Sequence, residues 1–364
     1  MAPSGKVDNG CRDCTIRDVV HTSVGGFSVR IHLSNVFGTA PLPIGDATVA
    51  LPETPDTAQV APGTLRHLTF HGDRQVTIPA GQAVVSDPVP LAVPPDHDLL
   101  VTTFTPGYAT PMTFHPDAQE DSYFTTGPDA AGATSAASFP QTTQAWHFLT
   151  GVDVAGSGAR GAVVAFGDSI TDGYRSAYNT DHRWPNYLAG RILQQPAFRR
   201  LAVLDAGIGG NRILLDGGDG FGPAALTRFQ RDVAGQTGAR SVNVLLGIND
   251  IQQTPHQLDP AKIIAGLRKL ASDAHAAGLR AIGGTITPFE GWNTYDQQEE
   301  ATREAVNAWI RTAPDWDAVV DFDAAVRDPA DQHRMLPLYD SGDHLHPNDI
   351  GYAVMADAVN LSSL

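Results

Sequence analysis

The sequence predicts an α/β fold built on a parallel sheet, preceded by an all-β sandwich of jelly-roll type. Three observations carry this. Residues 15–150 run as short strand-like stretches divided by turns, with no helical period of useful length. A small-residue connector, GVDVAGSGARG at 151–161, then marks a boundary. Beyond it, short apolar runs alternate with helical stretches, the rhythm of strands covered by helices on both faces. At 364 residues the chain is long for one core, so two units are expected, 15–155 and 160–364.

In the first unit, FSVRIHLS sets Phe27, Val29, Ile31 and Leu33 against Ser28, Arg30, His32 and Ser34, the period of a half-buried strand. ATVAL, QVTIP, AVVSDPV and LLVTTF continue the pattern, separated by HGDR, PAGQ and PPDHD. Two antiparallel sheets with turn connections follow from such a series. In the second unit, AVVAF, LAVLD, SVNVLL, LRAIGGTI and DAVVDF suit strands buried on both faces. A helix near 260–277 places Ile263, Leu267, Leu270 and Ala274 on one face and begins with Pro260 after Asp259. Another, near 297–312, carries Ala301, Ala305, Ala308 and Trp309.

Charge and composition narrow the partners. A net charge of -16 repels phosphate, so neither nucleic acid nor an anionic membrane is expected to bind. No apolar run approaches the ~18–20 residues of a membrane span. The stretch MAPSGKVDNG has no apolar h-region, so no signal peptide is expected in this chain. Cys11 and Cys14 form a single C-x-x-C with no second pair to complete a zinc site. They also lack the strand–helix setting of a redox dithiol, which leaves a local disulfide or two free thiols.

In open α/β sheets, ligands bind outside the carboxyl ends of the strands. The first predicted strand runs into GDS with Ser169, and the second into AGIGGN with Gly209, Gly210 and Asn211. The third runs into GIND with Asn249 and Asp250, and the fourth into TPFEGW. SGDHLHPND, with Asp343, His344 and His346, stands before the last helix. This set holds what acyl transfer needs. A serine hydroxyl is a weak nucleophile that requires a base, and a histidine base requires an acceptor on its other nitrogen. Ser169, His346 and Asp343 fill those roles. The N–H groups of Ser169 and Gly210 and the side-chain amide of Asn249 are candidate donors to a tetrahedral oxyanion.

These blocks resemble the GDSL or SGNH hydrolases. GDSITDG resembles the first block, AGIGGN the second, GIND the third and DHLHP the fifth, in the family's order across roughly 162–360. The resemblance implies a three-layer, flavodoxin-like catalytic domain with Ser169 as nucleophile, Gly210 and Asn249 in the oxyanion hole, and the Asp343–His346 pair. Family spacing and the following Pro347 favour His346 over His344 as base. The second block often carries serine where this chain has Gly209. The β-rich half resembles the sandwich attached to some secreted members, so a secreted protein is expected, with a cytoplasmic one as the alternative.

Other residues take lesser expectations. Asp168 and Asp250 are expected to hold their loops by accepting from backbone N–H groups. Asp168, Asn211, Arg212, Trp184, Trp292 and His344 are candidates for substrate contact. No metal or cofactor is called for. The expected reaction is hydrolysis of a carboxylic ester through an acyl-enzyme, with a short acyl group, acetyl above all, on a small molecule or carbohydrate. A broader lipase or arylesterase is the alternative. A metal-dependent phosphoesterase is the rival mechanism, weakened because no Asp-x-His follows the first buried strand. A sugar-binding role is a reading for the β-rich half alone.

Overall fold

The computed structural model describes residues 11–109, 111–217 and 220–364. The stretch read above for a leader, 1–10, lies outside them. The chain divides into two units, one ending at Gly158 and one spanning Ala159–Leu364. The expected connector begins too early: 151–155 belong to a strand, Leu149–Ala155, paired with Gly26–Ser34.

The N-terminal unit is built of antiparallel sheets. Six strands form one sheet, in the order Gln141–Thr143, Ser122–Thr126, Cys11–Thr22, His97–Ala109, Asp46–Ala50, Arg66–His67. A second sheet places Gly26–Ser34 between Leu149–Ala155 and Ala83–Val85, with Val89–Val93 also paired to it. Ile16, Val49, Leu99 and Val101 from the first sheet share one core with Val29, Ile31, Leu33 and Leu91 from the second. That is the sandwich the period-2 runs predict. Phe27 departs from it. It is 74% exposed, because the pairing register shifts between Gly26 and Ser28 and the alternation slips there. Cys11 and Cys14 are disulfide-bonded across a register shift that leaves Asp13 at positive φ.

The second unit carries five parallel strands: β1 (Ala162–Gly167), β2 (Ala202–Gly207), β3 (Ala239–Leu245), β4 (Arg280–Gly284) and β5 (Ala318–Val320). Their spatial order is β2-β1-β3-β4-β5. The order reverses at β1, so right-handed crossovers send successive helices to opposite faces. Helices α1 (Ser169–Asp172), α2 (Trp184–Leu193), α3 (Ala225–Phe229), α4 (Ile248–Gln252), α5 (Pro260–Ala276), α6 (Gln297–Thr312), α7 (Phe322–Val326) and α8 (Asp349–Ala358) cover it. α8 packs on α2 and α7, whereas α5 packs on α3 and α6. The result is a three-layer α/β unit. Every residue of the interior strand β1 is buried, whereas the edge strand β2 is mostly half-buried.

α5 follows its sequence pattern. Asp259 caps it by accepting from the Ala261 N–H at 3.0 Å, and Ile263, Leu267, Leu270 and Ala274 face inward. α6 does not. Ala301, Ala305 and Ala308 are exposed, and the buried face is Thr302, Arg303, Val306, Asn307 and Ile310. Polar bonds set this rotation: Arg303 forks onto Glu300 at 3.0 and 2.6 Å and reaches Asp323 at 2.8 Å, while Asn307 bonds both the N–H and the carbonyl of Ile286. Among the described residues, no helix is long and apolar enough to cross a membrane.

Candidate active site

β1 delivers Gly167 and Asp168, then turns at once into the short α1, whose first residue is Ser169. This tight turn requires glycine nearby. A Cβ on Gly207, at the end of β2, would lie 2.2 Å from the backbone nitrogen of Asp172, so only a bare backbone lets α1 settle there. Asp168 caps α1 by accepting from the Ile170 N–H at 3.0 Å. Ser169 is nearly buried, with 7% of its surface exposed.

The loop before α8 supplies its partners. His346 Nε2 lies 2.9 Å from Ser169 Oγ. Its Nδ1 lies 2.9 Å from Asp343 Oδ2. Asp343 Oδ1 accepts from the N–H groups of Leu345 and His346 at 3.0 and 2.9 Å, and Arg175 Nε donates to Oδ2 at 3.2 Å. Burial opposes charge on Asp343, but the His346 imidazole and the His346 and Leu345 N–H groups outweigh it and hold the carboxyl well below the usual range. His344 goes elsewhere: its Nδ1 meets Asp340 Oδ2 at 2.7 Å and its side chain is 53% exposed.

Two further strand ends bring the remaining polar groups. After β2, Gly210 sits at φ +69°, and a Cβ there would lie 2.4 Å from the Phe221 ring. The Gly209 N–H is taken by Asp172 Oδ2 at 3.1 Å. Among the described residues, the N–H groups of Gly210 and Ser169 have no protein acceptor. After β3, buried Asn249 in α4 donates from Nδ2 to the Asn211 carbonyl at 3.1 Å. Its Oδ1 accepts from Gln252 and Gln253 at 2.8 and 3.0 Å. Trp292 Nε1, after β4, donates to Gln252 Oε1 at 3.0 Å, and its ring stands edge-on to His346 with centroids 6.0 Å apart.

Of the six substrate-contact candidates, Trp292 lies against the site and His344 is exposed on the same loop as His346. The other four are corrected. Trp184 is fully buried and packs on Phe322. Asn211 is fully buried, spending its amide on the carbonyls of Phe221 and Pro223. Arg212 is buried and donates to the Pro255 carbonyl at 2.6 Å. Asp168 is 1% exposed and serves as the cap. Asp250 holds its loop as expected, accepting from the Ile213 and Leu214 N–H groups at 2.7 and 3.1 Å.

The sequence reading missed several neighbours. Gln252 and Gln253 stand three and four residues after Asn249, a helical spacing that puts them on one face and was readable. Tyr174 packs edge-on to His346 with ring centroids 4.8 Å apart. Buried Arg228 bonds the Gly167 and Ala206 carbonyls at 2.7 and 2.8 Å and Asn211 Oδ1 at 3.0 Å, tying the ends of β1 and β2 to the Asn211 loop. No local pattern in the sequence distinguishes it from a surface arginine.

Asp168 gives a stability test. Burial, reinforced by the charge of Asp250, pushes its carboxyl up to about 7, against the lowering from the Ile170 N–H and Arg228. Between the ordinary 3.8 and about 7 the folded state therefore holds more protons than the unfolded one. This group's contribution to stability is full below that window and falls as pH rises through it. Asp168→Asn keeps an oxygen for the cap and removes the buried charge. Its Tm relative to wild type should be higher at pH 8 than at pH 5 by calorimetry. A difference that does not change with pH would place the Asp168 carboxyl in the ordinary range.

Comparison with known proteins gives the same grouping. The model of the GDSL-like lipase/acylhydrolase family matches residues 165–354. No curated protein sequence matches. Among solved structures, similarity is found to an acetylxylan esterase from Geobacillus stearothermophilus, 24% identical over 55% of this chain and 92% of that one, with a TM-score of 0.42. It extends to an aryl esterase from M. smegmatis, 16% identical over 54% of this chain and 95% of that one, at 0.45. A GDSL-like lipase from Bacteroides thetaiotaomicron is 19% identical over 56% of this chain and 88% of that one, at 0.42. The match at 165–354 spans more than half of the 364 residues, and the chain belongs to the GDSL-like lipase/acylhydrolase family.

Proposed function

We propose that the protein is a serine esterase that cleaves carboxylic esters through an acyl-enzyme, without a metal. The observation that carries this is the chain Ser169 Oγ–His346 Nε2 and His346 Nδ1–Asp343 Oδ2, both at 2.9 Å, at the carboxyl edge of the sheet. His346 takes the Ser169 proton as Oγ attacks the ester carbonyl. The tetrahedral oxyanion is held by the N–H groups of Ser169 and Gly210 and the Asn249 amide. Collapse breaks the ester C–O bond, and His346 returns the proton to the leaving alcohol. Water, deprotonated by His346, then attacks the acyl-enzyme, and Ser169 leaves with the proton that His346 gives back. Asp343 holds the imidazole tautomer and offsets its positive charge.

The two-metal phosphoesterase reading fits less well. It needs a histidine nitrogen for the metal, and both nitrogens of His346 face protein partners. The preferred substrate is a short acyl ester, acetyl above all, of a polar alcohol such as a sugar. Support comes from the groups around the triad: Arg175 and His344 are exposed, and Trp292 adds an aromatic edge. Long acyl chains would leave apolar surface in water at ~0.8 kcal/mol per CH₂.

A panel of esters varying acyl length and alcohol separately, with and without EDTA, tests this. Acetyl esters should turn over faster than esters of about ten carbons, for the burial reason just given. A sulfonyl fluoride should modify Ser169, and EDTA should leave the rate unchanged. Loss of activity on chelation, restored by a divalent ion, would overturn the mechanism. Preference for long chains with activation at an oil–water interface would favour a lipase.

A further inference from the structure

An oxyanion donor must present hydrogen, and a side-chain amide can present oxygen instead if it turns over. What holds Asn249 in one sense is a set of bonds with fixed direction. The indole of Trp292 only donates, so Gln252 Oε1 must be its acceptor at 3.0 Å. The Gln252 amide nitrogen then faces Asn249, whose Oδ1 accepts at 2.8 Å. Gln253 is fixed independently, because its Nε2 also reaches the Gly210 carbonyl at 3.0 Å, and a carbonyl only accepts. Its bond to Asn249 Oδ1 at 3.0 Å therefore runs in the same sense. With Oδ1 doubly occupied and one N–H on the Asn211 carbonyl, Asn249 keeps one N–H to offer.

We propose that Gln252, anchored by Trp292, and Gln253 are positioning residues that set the polarity of the Asn249 amide. The inference rests on the reading of Asn249 as an oxyanion donor. Gln253 bridges Asn249 and Gly210, so the pair also fixes the spacing of two proposed donors. Gln252 is 8% and Asn249 2% exposed, so solvent has little access to substitute for these bonds. The Trp292 ring meanwhile stands against His346, which links the base and the donor through one side chain.

The test uses the full chain and p-nitrophenyl acetate, measuring kcat and KM separately. Gln252→Met keeps the length of the side chain and removes its bonds to Asn249, Trp292 and Thr294. It should lower kcat by about 10-fold with KM within about twofold, the pattern of an interaction made in the transition state. Trp292→Phe keeps the ring against His346 and loses the N–H; it should lower kcat in the same way but less. Asn249→Ala should lower kcat by roughly 100- to 1000-fold. Adding Gln252→Met to Asn249→Ala should then change kcat little, because the interaction it served is gone. An additive double variant, or an unaltered kcat in Gln252→Met, would overturn the positioning role while leaving Asn249 in place. An Asn249→Ala enzyme with normal kcat would overturn the oxyanion reading itself, and this inference with it.

Discussion

Ser169→Ala is expected to lower kcat by about 10⁴- to 10⁶-fold, the scale on which serine hydrolases lose activity with their nucleophile. In the proposed mechanism the hydroxyl forms the acyl bond, and alanine would leave His346 with nothing to deprotonate in that position. Water attacking directly, helped by the remaining oxyanion donors, would supply the residual rate. The fold should survive. The Ser169 hydroxyl makes one side-chain bond, to His346, while α1 is held by the Asp168 cap and the glycine at the end of β2. Ester hydrolysis, labelling by a sulfonyl fluoride and a melting curve together check this. Loss of hydrolysis and labelling with an unaltered Tm is the expected result. A clean preparation retaining more than a few per cent of wild-type kcat would remove Ser169 from the chemistry.

The parts of this molecule that were legible in the sequence are those whose signals are local. AVVAF is all apolar because β1 is covered on both faces, and it stops at Gly167 because the chain turns there. Val29, Ile31 and Leu33 alternate because one face of their strand meets a core. GDS, GIND and DHLHP mark three segments that the topology carries to one edge. What the sequence does not show is decided by contacts that join segments far apart. α6 turned its alanines outward because Arg303 and Asn307 found partners on other segments, Asp323 and Ile286. Arg17 is fully buried in the N-terminal unit, bonded to Thr102 and to the carbonyls of Ala58 and Ala133. Trp184 and Asn211 looked like pocket residues by position but are spent on packing and loop bonds. No periodicity announces such partners, since the satisfied polar atom and its acceptor lie tens of residues apart. The glutamines after Asn249 are the intermediate case, with their spacing visible and their partners not.

His346→Ala should cost nearly as much as Ser169→Ala, since nucleophile and base act as a unit, whereas His344→Ala should change kcat by only a few-fold. The two residues are separated by one position, and their environments differ in kind. His346 is 5% exposed, with one ring nitrogen on Ser169 Oγ and the other on Asp343. His344 is exposed and spends Nδ1 on Asp340. The loop makes this contrast by putting His344 at φ +68°, which turns it toward Gly291 while Leu345 is buried between the two histidines. Asp343→Asn sharpens the assignment. An amide there can present N–H to Nδ1, which would favour the tautomer carrying its proton on Nε2 and leave no lone pair for the Ser169 proton. A fall of about 10⁴-fold in kcat is expected from that exchange. The same variant should also lose the pairing that holds Asp343 ionised, so the wild type's advantage in Tm should shrink as pH falls through the carboxylate range. If His344→Ala proves the more damaging change, with His346→Ala mild, the base has been assigned to the wrong histidine and the proton path must run through Asp340 instead.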